Sequence, residues 1–343
     1  MVLVTLLASV YMLTYSGRIE SGDTLFLVDA IGSLVNEGDT RLDLAVGQRP
    51  PLPQLIRAGE QYPLPDAGAE ALQLVLAAPL YWAAQRLPGV GLVHALYLFN
   101  VIVCALAGGV MFLYGLTLGY SERAAMLGGL ALGLGTALWP YSKSFFQEPL
   151  ALLLLLTAAL LLERWRAGHF HSIGLLIAGA LAITGAALAQ EAAVLAIQAL
   201  MVSELPEVRD AAPRVLLLRY ELFALVTLAL LIAAGELFGV FDRLERLFVA
   251  LQGPQVYTGP ALQSYLLSPG GSIWGTSPVL LLALPGIWLL VRRRRWRYPA
   301  ALALALGAFA LVYAIRQGPD WFGGLSWPPR FLIPIIPCGV LCA

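Results

Sequence analysis

Apolar residues along this chain run in blocks, and the polar residues collect between the blocks. The blocks fall at 1–16, 94–117, 122–141, 148–163, 172–187, 191–202, 214–238, 276–291, 298–315 and 329–343. A helix needs ~20 residues to cross a hydrocarbon core, and most of the blocks approach that length. Lipid offers the backbone no hydrogen-bond partners, so blocks of this kind must satisfy their own N–H and C=O groups as helices. The pattern predicts an all-α polytopic transmembrane bundle of about 9–10 spans, forming one domain over 1–343. The pair at 172–187 and 191–202 is short for two crossings. It reads either as one long tilted helix or as two short helices that turn at Gln190-Glu191.

Between the first two blocks lies a long polar segment, 18–93, with its densest proline run at Arg49-Pro50-Pro51-Leu52-Pro53. Within it Leu25 to Val35 has the spacing of an amphipathic helix. Residues 71–86 form an apolar helix bounded by Arg86 and Pro88, expected to lie at the membrane interface. Arginines in short loops set the orientation. Arg292 to Arg295 with Arg297, Arg164 with Arg166, and Arg209, Arg214 and Arg219 mark cytoplasmic loops. The segments 17–93, 142–147, 239–275 and 316–328 then face outward, with 188–191 a fifth if the short pair is real. Residue 343 falls inside an apolar block, so the chain reads as the front part of a longer protein or as one trimmed at its end.

Composition agrees with the pattern: 59% of residues are hydrophobic and 12% charged, against about 25% charged in an ordinary globular domain. Basic and acidic residues balance, so no global positive field points to nucleic acid. Cys104, Cys338 and Cys342 lack metal or redox spacing, and His94, His169 and His171 form no ligand set. No Walker, GxSxG, HExxH or dinucleotide motif is present. The start of the chain has no basic n-region or cleavage site, so an anchored first helix is expected.

Carboxylates at a membrane edge are costly, so each one needs a reason. Asp23 follows the first block, Glu148 opens the block at 148–163, and Glu191 stands among Ala and Leu in what reads as a helix interior. Acids on one membrane face can take a proton from a hydroxyl or hold a divalent cation. Each also has a plainer reading. Asp23 can cap a helix beginning at Thr24, and Glu148 before Pro149 suits a helix dipole. Arg330, in Trp327-Pro328-Pro329-Arg330, can grip a phosphate or snorkel from an aromatic belt. Tyr265 precedes a Gly-rich stretch, Ser268-Pro269-Gly270-Gly271, whose signal as an anion cradle is weak.

Four stretches together resemble the GT-C superfamily of membrane glycosyltransferases, in the bacterial branch related to protein O-mannosyltransferases and aminoarabinose transferases (family 39-like). Gly22-Asp23 with Ala30 and Gly38 is similar to the first-loop acid motif, with Gly-Asp where that family usually has Asp-Glu. Gly135 to Ser142 running into Gln147-Glu148-Pro149-Leu150 resembles the second acidic position. Leu267 to Pro278 is like the loop before a late span. Trp321-Phe322-Gly323-Gly324 through Pro329-Arg330-Phe331 resembles an aromatic-Gly-Gly, Pro-Arg segment. The family's C-terminal part is absent. The resemblance implies an inverting transfer of a sugar from a polyprenyl-phosphate donor to an acceptor hydroxyl, on the extracytoplasmic face of the cell membrane. Asp23 would be the general base and Glu148 would orient the acceptor. Arg330, Glu191, Gln190, Trp321 and Tyr265 would form the substrate-binding set. A divalent cation, Mg or Mn, is allowed by the resemblance but not required, and the acceptor is left open.

Two other classes share these features. A transporter or lipid flippase also carries intramembrane acids, although no related halves are visible here. A non-catalytic subunit of a larger membrane complex would keep the scaffold with a degenerate acid motif.

Overall fold

A computed structural model describes residues 1–19, 22–38, 71–168, 172–203, 213–238, 256–316 and 330–343, with positions 249 and 252 singly. Among these residues every regular element is helical, as the block pattern predicts. Two helices are long and apolar enough to cross a membrane, Leu92–Thr117 and Arg297–Arg316. Several other expected spans form shorter apolar helices.

The elements are α1 (Val2–Leu13), α2 (Gly22–Asn36), α3 (Ala71–Arg86), α4 (Leu92–Thr117), α5 (Glu122–Leu134) and α6 (Leu138–Tyr141). They continue as α7 (Glu148–Ala167), α8 (Ile173–Ala189), α9 (Ala196–Ser203) and α10 (Pro213–Phe238). The last are α11 (Thr258–Leu267), α12 (Ile273–Thr276), α13 (Ala283–Arg292), α14 (Arg297–Arg316) and α15 (Ile336–Cys342). Helix α7 is the centre of the bundle, packed against α4 and α8, and α4 in turn packs against α1 and α5.

The structure differs from the block pattern where proline or glycine interrupts the helical ladder. The block at 122–141 is not one helix: α5 stops at Gly135, and α6 follows as a single turn containing Pro140. The block at 276–291 begins as a 3-10 turn, Pro278–Leu282, and only then becomes α13. The block at 329–343 likewise opens as the 3-10 segment Arg330–Ile335, with Pro334 inside it, before α15. Proline removes an N–H donor and its ring crowds the preceding carbonyl, so a full α-turn cannot run through these positions. Between α8 and α9 the chain breaks at Gln190, whose backbone is extended at φ −152°, and continues as the 3-10 segment Glu191–Leu195. Of the two alternatives for 172–202, the interrupted one is found.

Two expectations in the first loop are refined. Helix α2 runs Gly22–Asn36, so the backbone is already helical at Asp23, whose side chain lies outside the described residues. Helix α3 buries Leu74, Ala77 and Tyr81 while Val75, Leu76 and Trp82 are exposed, and it packs on α2 and α4. The same division recurs elsewhere. Ile102, Leu106 and Leu113 form an exposed apolar stripe on α4, as do Ile173, Ile177 and Leu181 on α8, and Leu225, Leu228 and Ile232 on α10. These helices are apolar on the face that packs and on the face that does not, unlike the polar outer face of a surface helix in a globular protein.

The close crossing of α4 on α5 is made by glycine. A Cβ built on Gly129 would stand 2.7 Å from the Gly108 carbonyl oxygen and 2.7 Å from Leu3, whereas one on Gly128 meets only Met111 at 3.8 Å. Small residues permit this backbone approach. Adjacent substitutions should therefore have opposite signs. Gly129→Ala lowers stability by about 1–3 kcal/mol through overpacking against backbone. Gly128→Ala raises it by up to about 1 kcal/mol through helix propensity. Thermal unfolding of the purified variants reads both.

Candidate functional site

The chain arranges four segments so that their polar residues meet inside the bundle. Helix α7 starts at Glu148, placing that carboxylate in its first turn, where the helix dipole favours negative charge. Glu148 is 1% exposed. Arg330 opens the 3-10 segment that packs on α7, and its Nε lies 3.7 Å from Glu148 Oε1. Its guanidinium centre sits 4.9 Å from the ring of Phe146 and 4.8 Å from the ring of Phe331, so two aromatic faces hold the cation in place.

A second ion pair lies beside the first. Glu191 begins the 3-10 segment after the break at Gln190 and pairs with Arg316 at the end of α14. The carboxylate therefore sits at a helix start and not, as its neighbours in the sequence suggest, in a helix interior. Tyr313 links the two pairs. Its ring stacks on Phe331 with centroids 4.5 Å apart and an interplanar angle of 12°. Its hydroxyl oxygen accepts a hydrogen bond from the Gln190 side-chain amide. Tyr313 is also within electrostatic reach of Glu191, Arg316 and Glu148. Tyr265, buried on α11, faces the same region. Burial pushes its phenol up from the ordinary value, and the nearby positive charge of Arg330 works the other way.

The loop that delivers Glu148 is clamped from two helices. Asn100 on α4 donates its side-chain amide to the carbonyls of Ser144 and Phe146, at 2.8 Å each. Gln73 on α3 donates to the carbonyl of Phe145 at 3.1 Å. All three carbonyls precede α7 and face an interior from which water is excluded, so without these amides they would be unpaired.

Of the residues expected to form a site, Glu148, Arg330, Gln190, Glu191 and Tyr265 come together. The side chain of Asp23 and the whole of Trp321 lie outside the described residues, as do Gly318 to Pro329, His169, His171 and Arg209. Sequence reasoning missed Tyr313, Arg316, Asn100 and Gln73. An arginine at the C-terminal end of α14 was a visible signal for Arg316, whereas Tyr313 is one of many aromatics in apolar blocks. Both described site carboxylates are already matched by arginines, and among the described residues no three His, Cys, Asp or Glu side chains cluster to hold a metal ion.

Asn100→Ala should destabilise the protein by about 2–3 kcal/mol, because it leaves buried carbonyls unsatisfied. Amide hydrogen exchange should rise selectively over 142–150 before the rest of α4 responds. Uniform exchange along α4 would mean that Asn100 supports the helix and not the loop. Comparison with known proteins assigns the chain to no family: no family model, curated protein or solved structure matches it.

Proposed function

We propose that the chain is a multi-pass membrane glycosyltransferase that moves a sugar from a polyprenyl-phosphate donor to an acceptor hydroxyl at the extracytoplasmic face. The observation that carries this reading is the meeting of Glu148, Arg330, Gln190, Glu191, Tyr265, Tyr313 and Arg316 inside the bundle, with both carboxylates buried. Buried charges are expensive to keep without a use. The apolar outer stripes of α4, α8 and α10 suit lipid better than water, which supports more crossings than the two helices that meet the length requirement.

In the proposed reaction Asp23 takes the proton of the acceptor hydroxyl. The hydroxyl oxygen attacks the anomeric carbon, and the bond from that carbon to the phosphate oxygen breaks with inversion. The leaving polyprenyl phosphate carries the electron pair as an anion. Arg330, already fixed between two aromatic rings, would stabilise the developing charge. Glu148 would orient the acceptor and hold Arg330 in register until the donor phosphate competes for it. Gln190, Glu191, Tyr265 and Trp321 would line the sugar and phosphate positions.

A second reading, a non-catalytic subunit that keeps the scaffold, is favoured by one observation: Glu148 and Arg330 pair with each other, so each is occupied without a substrate.

The test uses protein reconstituted in liposomes and shown to resist alkaline carbonate extraction. It is supplied with polyprenyl-phosphate-linked hexoses and aminopentoses together with lipid and peptide hydroxyl acceptors. Transfer from one donor is expected. Asp23→Asn should reduce it by about 10²–10⁴-fold, as for loss of a general base. Arg330→Lys should reduce it by about 10²-fold or more, as for loss of an oriented charge donor. Folded, embedded protein that transfers from no donor, or an Asp23→Asn variant with full activity, would sink the assignment and leave the subunit reading.

A further inference from the structure

At the opposite end of α14 from Arg316, the turn Arg292-Arg293-Arg294-Arg295 joins α13 to α14. Two of the five nearby arginines are engaged: Arg292 lies over the Trp288 ring at 3.9 Å, and Arg297 is buried and donates to the Tyr298 hydroxyl at 2.8 Å. Arg293, Arg294 and Arg295 are exposed. The turn closes α13 as a Schellman motif, with the Arg295 N–H on the Leu290 carbonyl at 2.8 Å and the Arg294 N–H on the Val291 carbonyl at 3.0 Å. Arg294 holds the left-handed position at φ +60°, alone among the described non-glycine residues. Glycine is the usual occupant there because a side chain strains the backbone. The turn thus keeps its charge where the fold would favour losing it.

Beside the turn runs a groove of about 420 Å³ lined by α4, α5, α13 and α15, the last through Val340 to Ala343. Its floor includes Gly128, which leaves open space, and its walls include Met111, Leu127, Leu282 and Leu289. Leu127, Leu282 and Leu289 are all exposed. Arg293 is among the residues that line this apolar groove, and among the described residues its side chain makes no hydrogen bond or ion pair. A cation at the mouth of an apolar groove is complementary to an amphiphile with an anionic head.

We propose that the groove binds one anionic phospholipid, with an acyl chain along Gly128 and Leu289 and the phosphate on Arg293. The site is far along α14 from the Glu148 and Arg330 cluster and takes no part in the proposed transfer. It rests on the reading of the chain as membrane-embedded, and on nothing else in the proposed reaction.

The test is native mass spectrometry of the detergent-extracted protein with dioleoylphosphatidylglycerol or dioleoylphosphatidylcholine added at equal concentration. One phosphatidylglycerol should be retained in preference to phosphatidylcholine. Arg293→Gln should weaken that retention about fivefold, equivalent to the ~1 kcal/mol of a basic side chain beside anionic lipid. Gly128→Leu, which fills the groove, should remove the bound lipid while leaving the arginines in place. The two variants act at different ends of the site, so a folding failure of one, seen as a lost melting transition, leaves the other to decide. Equal retention of both lipids overturns the proposal. So does loss on Arg293→Gln with full retention on Gly128→Leu, which would be headgroup attraction without a groove, and so does full retention by Arg293→Gln. A dimer without lipid would place a second copy of the chain in the groove and also overturns it. Release of the wild-type chain by alkaline carbonate would instead refute the membrane reading itself.

Discussion

Glu148 cannot be buried in this bundle unless a positive charge meets it, and the placement of several elements follows from how Arg330 does so. An isolated carboxylate moved from water into an apolar interior would neutralise or unfold its surroundings. The pair stands at the join between the start of α7 and the 3-10 segment that opens the last block, so it fixes how these two elements approach. Phe146 and Phe331 come from the same two segments and hold the guanidinium between them. The ring of Phe331 then stacks on Tyr313, carrying the constraint to α14 and onward to Gln190 and the Glu191–Arg316 pair.

The interruptions in the helices belong to this arrangement. An unbroken helix exposes no backbone and presents side chains only along its faces, so it cannot place a charge at its tip and also continue. The break at Gln190 leaves Glu191 at a segment start, where the local dipole and free backbone N–H groups suit a carboxylate. The cost of each break is a set of unsatisfied carbonyls. Around Glu148, Asn100 and Gln73 meet that cost from two different helices. The first-loop helices α2 and α3 are thereby tied to the site: α3 supplies Gln73, and α2 packs on α3.

The rest of the bundle is held by a different kind of contact. Glycines at the α4 and α5 crossing allow backbone to approach backbone, and the buried faces of α1, α4, α7 and α8 share one continuous core. The outer faces of α1, α4 and α8 carry leucine and isoleucine in the open. Burial of apolar area therefore decides where helices touch, while the two buried ion pairs decide how the ends of segments are matched.

The sequence alone determined the helical class, the number and rough position of the apolar blocks, and which charges were out of place among them. Glu148, Glu191, Arg330 and Gln190 were legible as candidates because a charge or amide amid apolar residues is costly wherever it ends up. Proline and glycine marked the interruptions, although their positions did not say whether a block bends, stops or continues as 3-10. Only the tertiary structure decided the partners: Glu148 with Arg330, which are 182 residues apart in the chain, and Glu191 with Arg316. It also singled out Tyr313, Asn100 and Gln73, which no local pattern separates from their neighbours. Electrostatic cost is a property of one residue and can be read along a line of letters, whereas the group that offsets it is chosen by packing in three dimensions.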